Sequence, residues 1–155
     1  MNNIKLVATD IDGVWTDAKM YYTENGDYMK SFSTYDGMAV QLLKEKNIDT
    51  VIITSENSEI VIQRAKKLNI KNVTIGEKNK LERIKKICAD KKINLDEVAY
   101  IGDDINDIDV LREVGFSALT SNSPIKNQIK VDYITNRKGG DGAFREFVDL
   151  ILKEK

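Results

Sequence analysis

Asp10 and Asp12 stand two residues apart and are followed by Gly13; Thr54-Ser55, Lys80 and Gly102-Asp103-Asp104 come later in the chain. Taken singly, each has a plain explanation. An aspartate between a strand and a helix caps the helix, a Thr-Ser pair makes a turn, and a lysine in a first helical turn is solvated. Taken together they are the parts of a phosphoryl-transfer site. Clustered carboxylates repel one another unless a cation sits among them, and an all-oxygen donor set suits magnesium. Asp10 then serves as the nucleophile that forms an aspartyl-phosphate, replacing one difficult displacement with two easier ones. Asp12 protonates the leaving alcohol and later takes a proton from water. Gly13 lets the backbone come close beside the nucleophile. The Thr54 hydroxyl and Lys80 ammonium hold the equatorial phosphoryl oxygens.

Other chemistries are narrowed by what the chain lacks. There is no histidine, which excludes Ser-His-Asp and Cys-His catalysis and His-ligated zinc. The single cysteine, Cys88, shares a helical face with Leu81, Ile84 and Ile87, the pattern of a small buried apolar side chain.

A site assembled from four distant segments needs a scaffold that gathers them. Short Val- and Ile-rich runs at 4–9, 50–53, 73–75, 98–101, 116–119 and 133–135 read as strands covered on both faces. Amphipathic helical spacing occupies 37–46, 59–68, 80–91, 104–114 and 142–153. This alternation predicts an α/β fold, three layers with a Rossmann-like parallel sheet and helices on both faces. In such sheets ligands bind beyond the carboxyl ends of the strands, where all four polar signals fall. One insertion interrupts the pattern: residues 18–23 and 27–33 flank Glu24-Asn25-Gly26, and Asn-Gly is a strong turn signal, so a β-hairpin follows the first strand. It carries Met20, Tyr21, Tyr22, Tyr28, Met29 and Phe32, and a two-stranded ribbon is barely stable alone. Either it folds back on its own domain or it pairs with the hairpin of another subunit; the complete sheet elsewhere favours the second.

The 155 residues fit a single domain over 1–155 with no cap domain. Lysine plus arginine number 24 against 25 acidic residues, a net charge of −1, so no nucleic-acid surface is expected. No segment reads as a signal peptide or membrane span, and the expected location is cytoplasmic.

DIDGVWTD at 10–17, Thr54, Lys80 and GDDIND at 102–107 resemble the four signature motifs of the haloacid dehalogenase superfamily, over nearly the whole chain and in order. The resemblance implies that Asp10 is nucleophile and magnesium ligand, Asp12 is acid/base and adds a backbone carbonyl to the metal, and Asp103 completes the protein ligands. Asp104 and Asp107 are supporting residues or, equally, the surface of a helix. With only a hairpin in place of a cap, the chain resembles the capless branch typified by 3-deoxy-D-manno-octulosonate 8-phosphate phosphatase. That branch implies a homotetramer built through the hairpins, with a neighbour closing each site. Residues 139–146, rich in glycine, resemble the branch's tail and are either a lid over the site or a loop leading into a helix.

Octulosonate phosphatases usually place Gly-Arg after the second-strand threonine, whereas here Ser55-Glu56 follows. Glu56, with Arg64 and Lys67 spaced three apart on the next helix, resembles the branch acting on nine-carbon sugar acids, 2-keto-3-deoxynononate 9-phosphate or N-acetylneuraminate 9-phosphate, in sialic acid biosynthesis. Glu56 would accept hydrogen bonds from sugar hydroxyls, and the two cations would attract the sugar carboxylate; the plain alternative is a solvated helix face. Octulosonate 8-phosphate remains the alternative substrate. Trp15 and Tyr35 either touch substrate or pack. A receiver-like phosphoacceptor module is the alternative from another class, but Ile75-Gly76-Glu77 offers no phosphoacceptor aspartate after the third strand.

Overall fold

The computed structural model describes residues 3–153, so the outermost positions of the domain expected over 1–155 lie outside the described residues. Six parallel strands form the central sheet: β1 (Leu6–Thr9), β4 (Asp49–Ile53), β5 (Asn72–Thr74), β6 (Val98–Gly102), β7 (Phe116–Leu119) and β8 (Tyr133–Ile134), in the order β5-β4-β1-β6-β7-β8. β1 lies between β4 and β6, with Val7 opposite Thr50 on one side and Ala99 on the other. Its end is therefore the middle of the carboxyl edge.

Alternate strand residues face opposite ways, and each face meets its own helices. Val7, Ile52, Ala99 and Ile101 pack with α1 (Thr34–Glu45), α2 (Glu59–Lys67) and α5 (Ala143–Lys153) through Leu43, Val61, Phe144 and Phe147. Leu6, Ala8, Val51, Ile53 and Tyr100 pack with α3 (Lys80–Lys91) and α4 (Ile108–Glu113) through Ile84, Cys88, Val110 and Leu111. Cys88 is the buried apolar residue that its spacing predicts. The three-layer α/β architecture is the one expected from the alternation.

Two local differences have physical causes. The helix expected from residue 104 begins as a single 3₁₀ turn, Ile105–Asp107, because the Asp107 carboxylate folds back to accept from the Asp103 and Asp104 amides and tightens the turn. In the hairpin, β2 (Tyr21–Thr23) pairs antiparallel with β3 (Gly26–Met29) across a turn at Glu24-Asn25, one residue shorter than the expected connection Glu24-Asn25-Gly26. Gly26 opens β3 at φ +103°, which glycine alone adopts without strain. The ribbon forms a sheet of its own and leaves Tyr22 and Tyr28 about two-thirds exposed. No described helix is long and apolar enough to cross a membrane.

Candidate active site

The nucleophile candidate, Asp10, follows β1 and is tied into the sheet edge by its amide, which donates to the Ile101 carbonyl at 3.1 Å. The chain then turns tightly: the amides of Val14, Trp15 and Thr16 all donate to the Ile11 carbonyl. Trp15 anchors this turn, fully buried, with its indole donating to Thr9 Oγ1 at 3.1 Å and its ring 4.8 Å from that of Phe144. It packs rather than facing substrate. Gly139 and Gly140 clasp the same turn from outside. The Gly140 amide donates to the Val14 carbonyl at 3.1 Å, and a Cβ on Gly139 would lie 1.9 Å from the Gly13 carbonyl oxygen. In this structure, then, residues 139–142 are a packed loop before α5.

Lys80 opens α3, where a lysine is ordinarily solvated, yet its side chain is buried. Its ammonium lies 2.8 Å from Asp10 Oδ2 and 2.7 Å from Asp107 Oδ1. Asp107 is the most heavily bonded carboxylate of the group. Oδ1 also accepts from the Tyr100 hydroxyl at 2.5 Å, and Oδ2 accepts from the amides of Asp103 and Asp104 at 2.8 and 3.3 Å. The surface-helix reading of Asp107 is overturned: it is wholly buried and holds both Lys80 and the Asp103 loop in place. Asp104 caps the 3₁₀ turn through the Ile105 amide.

Carboxylate oxygens of Asp10, Asp103 and Asp107 lie within 4.8 Å of one another. Burial, then the charge of Asp107, pushes Asp10 up to about 7 against the pull of Lys80. Burial, then the charges of Asp10, Asp107 and Asp104, pushes Asp103 up to about 8. For Lys80, burial works against the charge, but the carboxylates of Asp107 and Asp10 outweigh it and hold the ammonium above its usual value. One ammonium thus faces three crowded carboxylates. Asp107 has its oxygens engaged, whereas no donor among the described residues reaches the Asp103 carboxylate. Nor does a described backbone amide reach the Asp12 carbonyl. This all-oxygen set with excess negative charge fits a hard divalent cation held by Asp10, Asp103 and the Asp12 carbonyl.

Asp10, Asp12, Thr54, Ser55, Glu56, Asp103, Asp104 and Asn106 line one cleft of about 280 Å³, together with Ala18 and Met20 at the foot of the hairpin. Three larger depressions, near Arg137, at the opposite edge of the sheet and between α1 and α2, contain no such acidic cluster. Two predicted substrate residues are not brought to the cleft. Arg64 lies 5.5 Å over the Phe32 ring, with Nη2 donating to the Ser33 carbonyl at 3.4 Å, and Lys67 faces a groove between α1 and α2 beside Gln41 and Lys44. Spacing put them on one helix face, but that face turns toward α1. Tyr35 is exposed beneath Arg137. Sequence reasoning missed Lys30, whose buried ammonium meets Asp12 Oδ1 at 2.8 Å; a lone cation between Met29 and Phe32 was the available signal. It also missed Tyr100 and Ser123, the latter donating to the Asp103 carbonyl.

A family model for haloacid dehalogenase-like hydrolases matches residues 56–147. The 3-deoxy-D-manno-octulosonate 8-phosphate phosphatase KdsC of Haemophilus influenzae is 34% identical over 153 residues, 99% of this chain and 85% of that one. The chain belongs to the haloacid dehalogenase-like hydrolases. Among solved relatives of this hydrolase, the octulosonate phosphatase of Yersinia pestis superposes with a TM-score of 0.93 at 36% identity, covering 97% of this chain and 82% of that one. The Moraxella catarrhalis enzyme, solved in complex with magnesium, phosphate and KDO, gives 0.94 at 38% identity over 99% and 88%.

Proposed function

We propose that this hydrolase is a magnesium-dependent phosphomonoesterase acting on a 2-keto-3-deoxy sugar acid phosphate through an aspartyl-phosphate on Asp10. The observation that carries it is the pairing of Asp10 with buried Lys80 beside the uncommitted Asp103 carboxylate. Magnesium, when bound, would neutralise the repulsion between carboxylate and phosphate dianion. Asp10 attacks phosphorus, the bond to the ester oxygen breaks, and Asp12 gives that oxygen its proton. Water then attacks the phosphoaspartate, Asp12 takes the water's proton, and phosphate leaves Asp10 free. Lys80 and Thr54 hold the phosphoryl oxygens, and the packed turn at residues 11–16 keeps the nucleophile oriented.

The relatives' names favour 3-deoxy-D-manno-octulosonate 8-phosphate as substrate. A second, nine-carbon reading rests on Glu56, a carboxylate lining the cleft where it can accept sugar hydroxyls. Arg64 and Lys67 lie outside their own cleft and would serve that substrate only from a neighbouring subunit. The exposed hairpin tyrosines and methionines supply a surface for such an assembly, a homotetramer.

The test is phosphate release from octulosonate 8-phosphate, nononate 9-phosphate and neuraminate 9-phosphate, with and without magnesium. Preference for the first supports the leading reading, and preference for either nine-carbon ester moves the assignment to the Glu56 reading. Absence of magnesium-dependent release from all three defeats the proposal. Sedimentation velocity of wild type against Tyr22→Ser/Tyr28→Ser tests the hairpin assembly.

A further inference from the structure

We propose that Lys30, on the hairpin, is a positioning residue that aims the Asp12 carboxylate into the cleft. The inference rests on the acid/base role proposed above for Asp12. Lys30 follows β3 on a ribbon whose neighbouring side chains are largely exposed, yet its own side chain has no solvent exposure. An ammonium has three protons to donate, and three acceptors surround this one. Asp12 Oδ1 lies at 2.8 Å, Asp27 Oδ2 at 3.5 Å and Met20 Sδ at 3.6 Å. They come from the loop after β1, from β3 itself and from the residue before β2.

The result for Asp12 is asymmetric. Its Oδ1 is held by Lys30, while Oδ2 is buried and meets no protein partner. A free carboxylate can rotate and present either oxygen. Here Oδ1 is fixed, and Oδ2, on a residue that lines the cleft, is the oxygen left without a protein partner. Asp27 extends the chain of contacts, because Ser58 Oγ donates to its Oδ2 at 3.1 Å. Ser58 stands at the N-cap of α2 but spends its hydroxyl on Asp27 rather than on its own helix. Asp12, Lys30, Asp27 and Ser58 therefore join the proton carrier to the hairpin and the hairpin to the domain.

A lysine that merely fastens the ribbon would affect every substrate alike; one that aims a general acid affects substrates according to their leaving group. The experiment compares wild type and Lys30→Met, with magnesium, on glycerol 2-phosphate and p-nitrophenyl phosphate. The quantity read is kcat/KM, which reports transfer to Asp10. The alkoxide leaving group needs the proton, and its kcat/KM is expected to fall by about 10²–10³-fold, the usual worth of a general acid. The nitrophenolate leaves with little help, and its loss is expected to stay under about 5-fold. In an Asp12→Asn background, Lys30→Met should add no further loss on the alkyl ester, the signature of residues acting as one unit. Equal losses on both esters, or no loss on either, overturn the assignment. Should Lys30→Met fail to fold by circular dichroism, Lys30→Gln, similar in length and lacking only the charge, undergoes the same pair of measurements. If wild type is inert toward both esters, the two proteins are compared on octulosonate 8-phosphate, whose alkoxide leaving group should show the same loss of about 10²–10³-fold. No loss there overturns the assignment, and a wild type inert toward that ester as well strikes the proposed phosphatase function itself.

Discussion

Two buried lysines, Lys80 and Lys30, stand behind two walls of the cleft, one formed by Asp10 and the other by Asp12. Each lies between a carboxylate of a residue that lines the cleft and a second that does not: Asp10 and Asp107 for one, Asp12 and Asp27 for the other. Their supports differ. Lys80 heads a 12-residue helix packed on the sheet, and its partner Asp107 takes three further hydrogen bonds from Tyr100, Asp103 and Asp104. Lys30 hangs from a ribbon of short strands whose aromatic side chains face outward, and Asp12 and Asp27 keep about a fifth of their side-chain surface in contact with solvent. The proposed nucleophile is thus held by the core of the domain, while the proposed proton carrier is held by the element least able to stand alone. On the proposed mechanism, chemistry common to all substrates sits on the rigid wall, and the step that depends on the leaving group sits on the adaptable one.

The largest expected effect is on the rigid wall: Asp10→Asn should reduce kcat/KM by more than about 10⁴-fold, as loss of a covalent nucleophile does. Persistent turnover would remove the distinction between the walls. Next, Lys80→Met leaves two buried carboxylates without their cation and should cost about 3–5 kcal/mol in urea unfolding. Lys30→Met, with partly solvated partners, should cost about 1–2 kcal/mol; equal costs would break the comparison. Gly13→Ala sharpens it further. Gly13 has φ +83°, and a Cβ there would lie 1.8 Å from Asp103 Oδ2. Strain of about 1–3 kcal/mol and weaker magnesium binding by calorimetry are expected, with Asp103 pushed aside.

The smallest effect lies outside both walls and serves as a reference. Asp36 of α1 is fully buried and accepts from the Arg145 amide at 2.9 Å, and burial pushes it up to about 6, partly opposed by Arg64 and Arg137. An acid raised in the folded state contributes stability that is complete below its unfolded value near 4 and lost as pH rises through about 6. Relative to Asp36→Asn, wild type should therefore lose about 1 kcal/mol between pH 5 and 8, read by urea unfolding at each pH.

The fold was legible because strand runs such as Thr50–Ile53 and helix faces such as Leu81, Ile84 and Cys88 carry their periods locally. The cleft was legible because strand ends are places that alternation predicts, which puts Asp10, Thr54 and Asp103 together. What lay hidden depends on the direction of a side chain across space. Asp107 reads equally as a supporting residue or as the surface of a helix, and only the structure shows its carboxylate turned back under Asp103. Arg64 and Lys67 share a face, but phase alone does not say that α1 lies opposite. Lys30 gives a weak signal in one dimension because its three acceptors come from separate segments. The turn of the hairpin is one residue shorter than Glu24-Asn25-Gly26 because Gly26 serves as the first residue of β3.

The clasp of Gly139 and Gly140 on the turn after Asp10 also sets an order of events during synthesis. The first strand leaves the ribosome early but lies between β4 and β6, so it waits for nearly a hundred residues before both neighbours exist. Its loop waits longer still, until the segment leading into the last helix arrives to close it. A nascent chain of this protein can therefore acquire much of its sheet before the loop after Asp10 is finished, and any activity that depends on this loop should emerge only once Gly139 and Gly140 have docked on it.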